Sequence, residues 1–282
     1  MPRSPLRSLV LLCVCLLSCS FTELCAQQDL FPFLVSYDAP ENATNISSWI
    51  DRPAGAQGPV RAEGGQLVTD QGRLRLWAVN FCFSACFPEQ QEAQRVAQRL
   101  ARFGINCVRM HPMDARDIWG QSENKTIIDP DQLRRLDYLI YQLKLHGIYT
   151  NLNLHVSRTL GEQEGFTGQD QRPKYDKGLD NFEPRMIELQ KKYARDLLTH
   201  VNPFTGLAYV EDPAIAFVEI NNENALYHSW QRGTLNDLPS TYKTTFQRLW
   251  NSWLRRKYQT DDALRTAWQS GSVALGDQLL AN

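Results

Sequence analysis

Ala214-Ile-Ala-Phe-Val-Glu-Ile-Asn-Asn-Glu-Asn224 is the stretch whose reading decides the fold. An apolar run from Ala214 to Val218 turns abruptly into Glu219, Asn221, Asn222, Glu223 and Asn224. A short apolar run behind Pro213 reads as a strand buried on both faces. Such a strand tolerates carboxylates and amides at its end only where that end opens into a polar cavity. In parallel α/β folds these cavities lie at the carboxyl ends of the strands. The plain alternative is a polar turn capping a core strand. The sharper one is a catalytic carboxylic acid, Glu223, presented beside Asn222.

Outward from this stretch the same unit repeats. Leu74–Phe81 reads as a strand ending at Asn80, behind small strands that turn at Gly64-Gly65 and Gly72. A helix over Pro88–Phe103 follows, with Ala93, Val96, Ala97, Leu100 and Ala101 on one face and Gly104 as its cap. Ile105–Met110 is the next strand, ending at Arg109 and His111. A long loop carrying Trp119 leads to a helix that starts at Asp129-Pro130 and closes at Gly147. Ile148–Leu154 is a strand ending at Asn153 and His155. A polar loop to Asn181 and a helix over Phe182–Val201 then lead into the opening stretch. Helices over Ser240–Tyr258 and Asp261–Trp268 follow it.

The order β-α-β-α-β-α-β-α implies parallel strands with right-handed crossovers. Helix-to-strand links are minimal and strand-to-helix loops long, as in a (β/α)8 TIM barrel. The expected fold is therefore α/β: the first four β-α units of such a barrel plus an N-terminal hairpin. A doubly wound sheet is the rival, but no glycine-rich phosphate loop follows the first strand.

Composition narrows the function. Thirty Lys and Arg against 31 Asp and Glu give a formal net charge of -1, so no nucleic acid is expected as partner. Of seven cysteines, Cys13, Cys15, Cys19 and Cys25 lie in or near the leader. Cys82, Cys86 and Cys107 read as small buried or free thiols, with a Cys82–Cys86 bridge as the alternative. No His or Cys spacing suits a metal, and no cofactor is expected. Residues 1–26 read as a signal peptide: Arg3 and Arg7 precede an apolar Ser8–Leu17 too short for a stable spanning helix. An uncleaved membrane anchor is the alternative, and Cys19 is a candidate lipid-anchor position. The mature protein is expected outside the cell or in its envelope, with no other membrane contact. Residues 27–59 form a surface-wrapping segment and 60–282 the half-barrel domain in this reading. Asn42, Asn45 and Asn124 stand in glycosylation sequons.

Four strand ends with polar residues suggest one shared site: Asn80, Arg109 with His111, Asn153 with His155, and Asn222 with Glu223. A carboxylic acid, an amide and an arginine suit glycoside hydrolysis. The acid protonates the glycosidic oxygen, and the amide binds the sugar's 2-hydroxyl. The arginine keeps a nucleophilic carboxylate ionised.

Val-Glu-Ile-Asn-Asn-Glu-Asn (218–224) resembles the Glu-x-x-Asn-Glu-Pro signature of the retaining (β/α)8 glycosidase clan, best known in glycoside hydrolase family 5. Gly-Ile-Asn-Cys-Val-Arg (104–109), Asn153-Leu-His155 and residues 65–80 resemble that family's second, third and first strands. Trp250–Tyr258 with Ala267-Trp268 is similar to the corresponding helix of family 42 β-galactosidases. The likeness spans about residues 60–268. It implies that Glu223 is the acid/base, that Asn222 holds the 2-hydroxyl, and that Arg109 and His155 support the site. Asn80, His111, Trp119 and Asn153 would meet substrate, a β-linked carbohydrate. His111 and His155 are alternatively hydrogen-bonded rim residues. Trp119, Phe166 and Tyr175 are sugar platforms or loop anchors, and Glu219 is an ion-pair partner, Arg109 the candidate. Asn224 departs from the signature's proline. The family's nucleophile, a glutamate on the seventh strand, has no counterpart in the four units, which leads to the expectation of an inactive fragment. A non-catalytic glycan-binding half barrel is the competing function. A metal-dependent hydrolase is the weaker third.

Overall fold

The computed structural model describes residues 42–166 and 177–268, together with Ser36. The leader, Cys19, most of 27–41, Tyr175 and Asp176 lie outside the described residues.

Two sheets are present. A small antiparallel one joins β1 (Arg61–Glu63), β2 (Gln66–Thr69) and β3 (Gly72–Arg73). The larger is parallel, in the order β4 (Ala78–Phe81), β5 (Cys107–Met110), β6 (Tyr149–Asn153), β7 (Ile215–Glu219). Spatial order equals chain order, as in the first half of a (β/α)8 barrel. The crossover helices are α1 (Gln90–Arg102), α2 (Pro130–Leu145) and α3 (Pro184–Leu198). Beyond β7 come α4 (Leu226–Gln231), α5 (Ser240–Tyr258) and α6 (Asp261–Trp268).

Local chemistry sets these elements. Asp129 caps α2: its carboxylate accepts from the backbone N–H of Asp131 and Gln132, while Pro130 takes the first helical position. Ala93, Ala97 and Ala101 form a fully buried small-residue stripe on α1 that faces the main core. Gly147 ends the α2 turn at φ +78°, and a Cβ there would stand 2.3 Å from the Asp51 carbonyl oxygen. That contact belongs to a segment crossing the helix ends. Ile46 N–H donates to the Arg102 carbonyl and Ala54 N–H to that of Lys144.

Three apolar clusters follow. The main core lies between the sheet and the helices, where Val108, Met110 and Leu152 meet Leu136, Leu139, Ile140 and Tyr193. A second joins the loops after β6 and β7 to α3, through Leu160, Leu179, Phe182 and Met186. The third brings Ala54, Val60, Leu74 and Leu76 of the N-terminal segment and hairpin against Cys107, Tyr149 and Ala214.

Two strand expectations need correction. Strand β4 is shorter than Leu74–Phe81, because Leu74 N–H turns aside to bond the Leu67 carbonyl in the hairpin. Strand β7 is not buried on both faces: Val218 is 40% exposed and Ile220 just beyond it 76%. It lies at an edge of the described sheet, where its side chains meet fewer neighbours. No disulfide joins Cys82 to Cys86. Burial pushes the Cys86 thiol up to about 12 and that of Cys107 to about 11, so both stay protonated.

Candidate active site at the strand ends

Register brings the polar residues together. Asn80 pairs with Arg109, Arg109 with Asn151, and one step further Asn153 with Glu219. Side chains alternate along each strand. Val108, Met110 and Leu152 therefore enter the helix-side core, and the alternate residues Asn80, Arg109, Asn151 and Asn153 take the other face.

Arg109 is the centre of this face. Its Nε donates to Glu219 Oε2 at 2.7 Å, and its Nη2 donates to Glu219 Oε1 at 2.7 Å and to Asn222 Oδ1 at 2.8 Å. The planar fork thus fixes a carboxylate and an amide with one side chain. Hydrogen bonding to Arg109 lowers the Glu219 carboxyl below its ordinary range, with help from the Arg109 charge. The same bond raises the Arg109 guanidinium. Burial and the Arg109 charge lower the His111 imidazole, so it is neutral at neutral pH.

Glu223 follows at φ +47°. That left-handed turn is uncommon for a residue with a Cβ and carries backbone strain. Both neighbours pin it. Asn222 N–H donates to the His155 carbonyl at 2.9 Å while its side chain is held by Arg109. Asn224 Nδ2 donates to Asp180, and Asn224 Oδ1 accepts from Gly178 N–H at 3.0 Å. The Glu223 side chain itself is exposed.

His155 stands behind this turn, fully enclosed. Its Nδ1 is 2.9 Å from Asp114 Oδ2 and its Nε2 is 2.8 Å from Asp180 Oδ2. Asp114 also accepts from Val156 N–H. His155 is thus a scaffold residue that ties three loops together.

Trp119 is not a sugar platform. It is 1% exposed, its Nε1–H donates to the Asp114 carbonyl at 2.8 Å, and its ring packs on Tyr193 and under the Arg158 guanidinium. A buried indole with a satisfied N–H belongs to the core. Phe166 packs against the second apolar cluster, also as an anchor. Asn80, exposed, lies in the row of Arg109. Asn153 is buried and lies beside Glu219 in the strand register. Among the described residues, the buried atoms without a hydrogen-bond partner include both amide atoms of Asn153, His111 Nδ1, Asn151 Oδ1 and Asn221 Oδ1. Buried polar atoms normally find partners, so these suit a ligand rich in hydroxyls.

Asp114 and Asp180 are the site residues that sequence reading underrated. Asp180 is buried against His155 and Asn224. Each aspartate is one of several acids in its long loop, so nothing in the sequence singles it out. Among the described residues, no group of three or more His, Cys, Asp or Glu is placed to hold a metal.

No family model matches the chain. It is 26% identical over 193 residues to mannan endo-1,4-beta-mannosidase 4 of Oryza sativa subsp. japonica, covering 64% of this chain and 41% of that one. It is likewise 26% identical over 178 residues to putative mannan endo-1,4-beta-mannosidase 9 of the same plant, covering 60% and 42%. The chain spans about two fifths of the length of these curated relatives. Among solved structures it is similar to an endo-1,4-beta-mannanase from Rhizomucor miehei, with TM-score 0.47, 21% identity, and 78% of this chain and 61% of that chain covered. It is also similar to a glycoside hydrolase family 5 mannosidase from Rhizomucor miehei, with TM-score 0.48, 14% identity and coverage of 71% and 53%. The curated relatives matched over 60% and 64% of the chain both bear the name mannan endo-1,4-beta-mannosidase, one of them as putative.

Proposed function

We propose that this chain carries the acid/base side of a retaining glycoside hydrolase acting on a β-linked polysaccharide, with β-1,4-mannan the favoured class. The observation that carries the reading is the Arg109 fork. It locks Glu219 and Asn222 on the polar face of the sheet, immediately before the strained Glu223. In this mechanism Glu223 protonates the departing glycosidic oxygen and later deprotonates water. Asn222, its amide oxygen taken by Arg109, directs its N–H2 at the sugar's 2-hydroxyl. His111, neutral, is a further donor or acceptor at the same face.

The attacking carboxylate is unassigned. Retention requires one about 5 Å from the acid, and both oxygens of Glu219 already accept from Arg109. That engagement favours a second reading, glycan binding without turnover. The leader supports export, to the cell surface or beyond; it is part of the proposal, as is the absence of a cofactor.

Turnover separates the two readings. Hydrolysis of β-1,4-mannan by the protein should fall by several orders of magnitude in Glu223→Gln. Aryl mannosides with activated leaving groups should lose far less, since they need little protonation. Equal small losses on both substrates would remove Glu223 from the acid role. Mannan binding with no turnover in the wild type would establish the second reading.

A further inference from the structure

We propose that Tyr227 and Trp230 form an aromatic platform that binds sugar rings of a β-linked glycan on the side of the cleft next to Glu223. The inference rests on the reading of that cleft as a glycan site, and assigns a binding role to residues outside its polar face.

Helix α4 is anchored from beneath. Leu226 packs against the second apolar cluster. Ser229 lies so close to Gly178 that a Cβ there would meet its Oγ at 3.3 Å. Thr234 Oγ1 donates to the Ser229 carbonyl at 2.7 Å. Just upstream, Asn224 is fastened to Asp180 and Gly178. The helix is therefore held in place with one side inward.

The two rings stand on the flank of the helix that is left in water, Trp230 one turn beyond the anchoring Leu226. Tyr227 and Trp230 are three residues apart and so share a helix face. Their centroids lie 5.7 Å apart with the planes at 41°. They are 66% and 65% exposed. Two adjoining aromatic rings left in water forgo the burial that such side chains usually find and suit a binding surface. Trp49 and Trp77 are exposed as well, at 80% and 69%, but neither stacks on another ring among the described residues.

Position selects the occupant. Four extended residues span at most about 14 Å, so Tyr227 cannot lie farther than that from Glu223 along the backbone. A glycan whose scissile bond meets Glu223 continues past it, and its next rings fall within reach of the platform. A pyranose offers a face of C–H groups rimmed by hydroxyls. The C–H face stacks on an aromatic ring without a specific hydrogen bond, and the hydroxyls stay in water. The net charge of -1 gives a polyanion no comparable attraction.

The test is calorimetric titration of the full chain with β-1,4-manno-oligosaccharides of two to six sugars, alongside light-scattering mass. Trp230→Ala should weaken the hexaose about tenfold and the biose little, and Trp230→Phe should restore most of the loss. Tyr227→Ala should act in the same direction, by a few fold. If Trp230→Ala binds the hexaose like wild type while Asn222→Ala weakens it, the platform falls and the cleft stands. If the wild type binds no oligosaccharide, the glycan reading fails and the platform with it. If the two alanine variants change the mass and leave affinity untouched, the rings serve a second copy and the proposal is overturned.

Discussion

Arg109 holds three oxygens on two residues with a single planar group. Lysine keeps the charge but offers no fork, so Arg109→Lys should leave one of Glu219 and Asn222 loosely held. A loss of about 1–3 kcal/mol in stability is expected, read from the urea midpoint at constant slope. An unchanged midpoint would show that the fork is replaceable. The same pair sets a pH dependence. The Glu219 carboxyl is lowered in the folded protein from an ordinary 4.5. Its contribution is fully present above that unfolded value and is lost as pH falls through the folded one. The stability gap between wild type and Glu219→Gln should therefore shrink as pH is lowered from about 6 towards about 3. A gap that is flat over that range would mean that the ion pair contributes nothing.

At the level of elements, much of the chain was legible because each period is simple. The apolar stripes of α1, α2 and α3 and the four strand ends stand in the sequence at their own spacing, and the structure puts them in order. Helix α4 escaped notice because Leu-Tyr-His-Ser-Trp-Gln is too short to show a period. Trp119 misled because an indole in a long strand-to-helix loop looks the same whether it faces a ligand or the core. Its partners Arg158 and Tyr193 come from remote loops and helices. Asp114 and Asp180 are legible only through His155, which stands 41 and 25 residues away in the chain. Gly147 was read correctly as a helix stop, but the Asp51 carbonyl pressed against it depends on a distant segment. Gly147→Ala combines a positive φ with a backbone clash, and should cost about 1–3 kcal/mol in thermal or urea unfolding. A wild-type melting temperature would mean that residues 50–52 yield easily.

Over the whole described molecule, β4 and β7 each hydrogen-bond to one strand, which leaves the other edge of each without a described strand partner. Near these edges Trp77, Val218 and Ile220 are exposed. The inner face itself is polar at its carboxyl end, through Asn80, Arg109 and Asn151. Association should therefore run through the edges more than through the face. Light-scattering mass of the protein should rise with concentration, and Val218→Lys with Ile220→Lys should suppress the rise. A concentration-independent mass for both forms would show the edges to be covered.

The burial of Trp119 has an optical consequence. The sequence holds seven tryptophans, and those at 49, 77, 230 and 253 are open to solvent to varying degrees, whereas Trp119 is sealed against Tyr193 and Arg158. An aqueous quencher such as acrylamide should silence the open indoles first, and with the half-buried Trp250 and Trp268 replaced by Phe it should leave a blue-shifted emission from position 119. In that variant the surviving emission would report the integrity of the main core, separately from whatever happens at the surface.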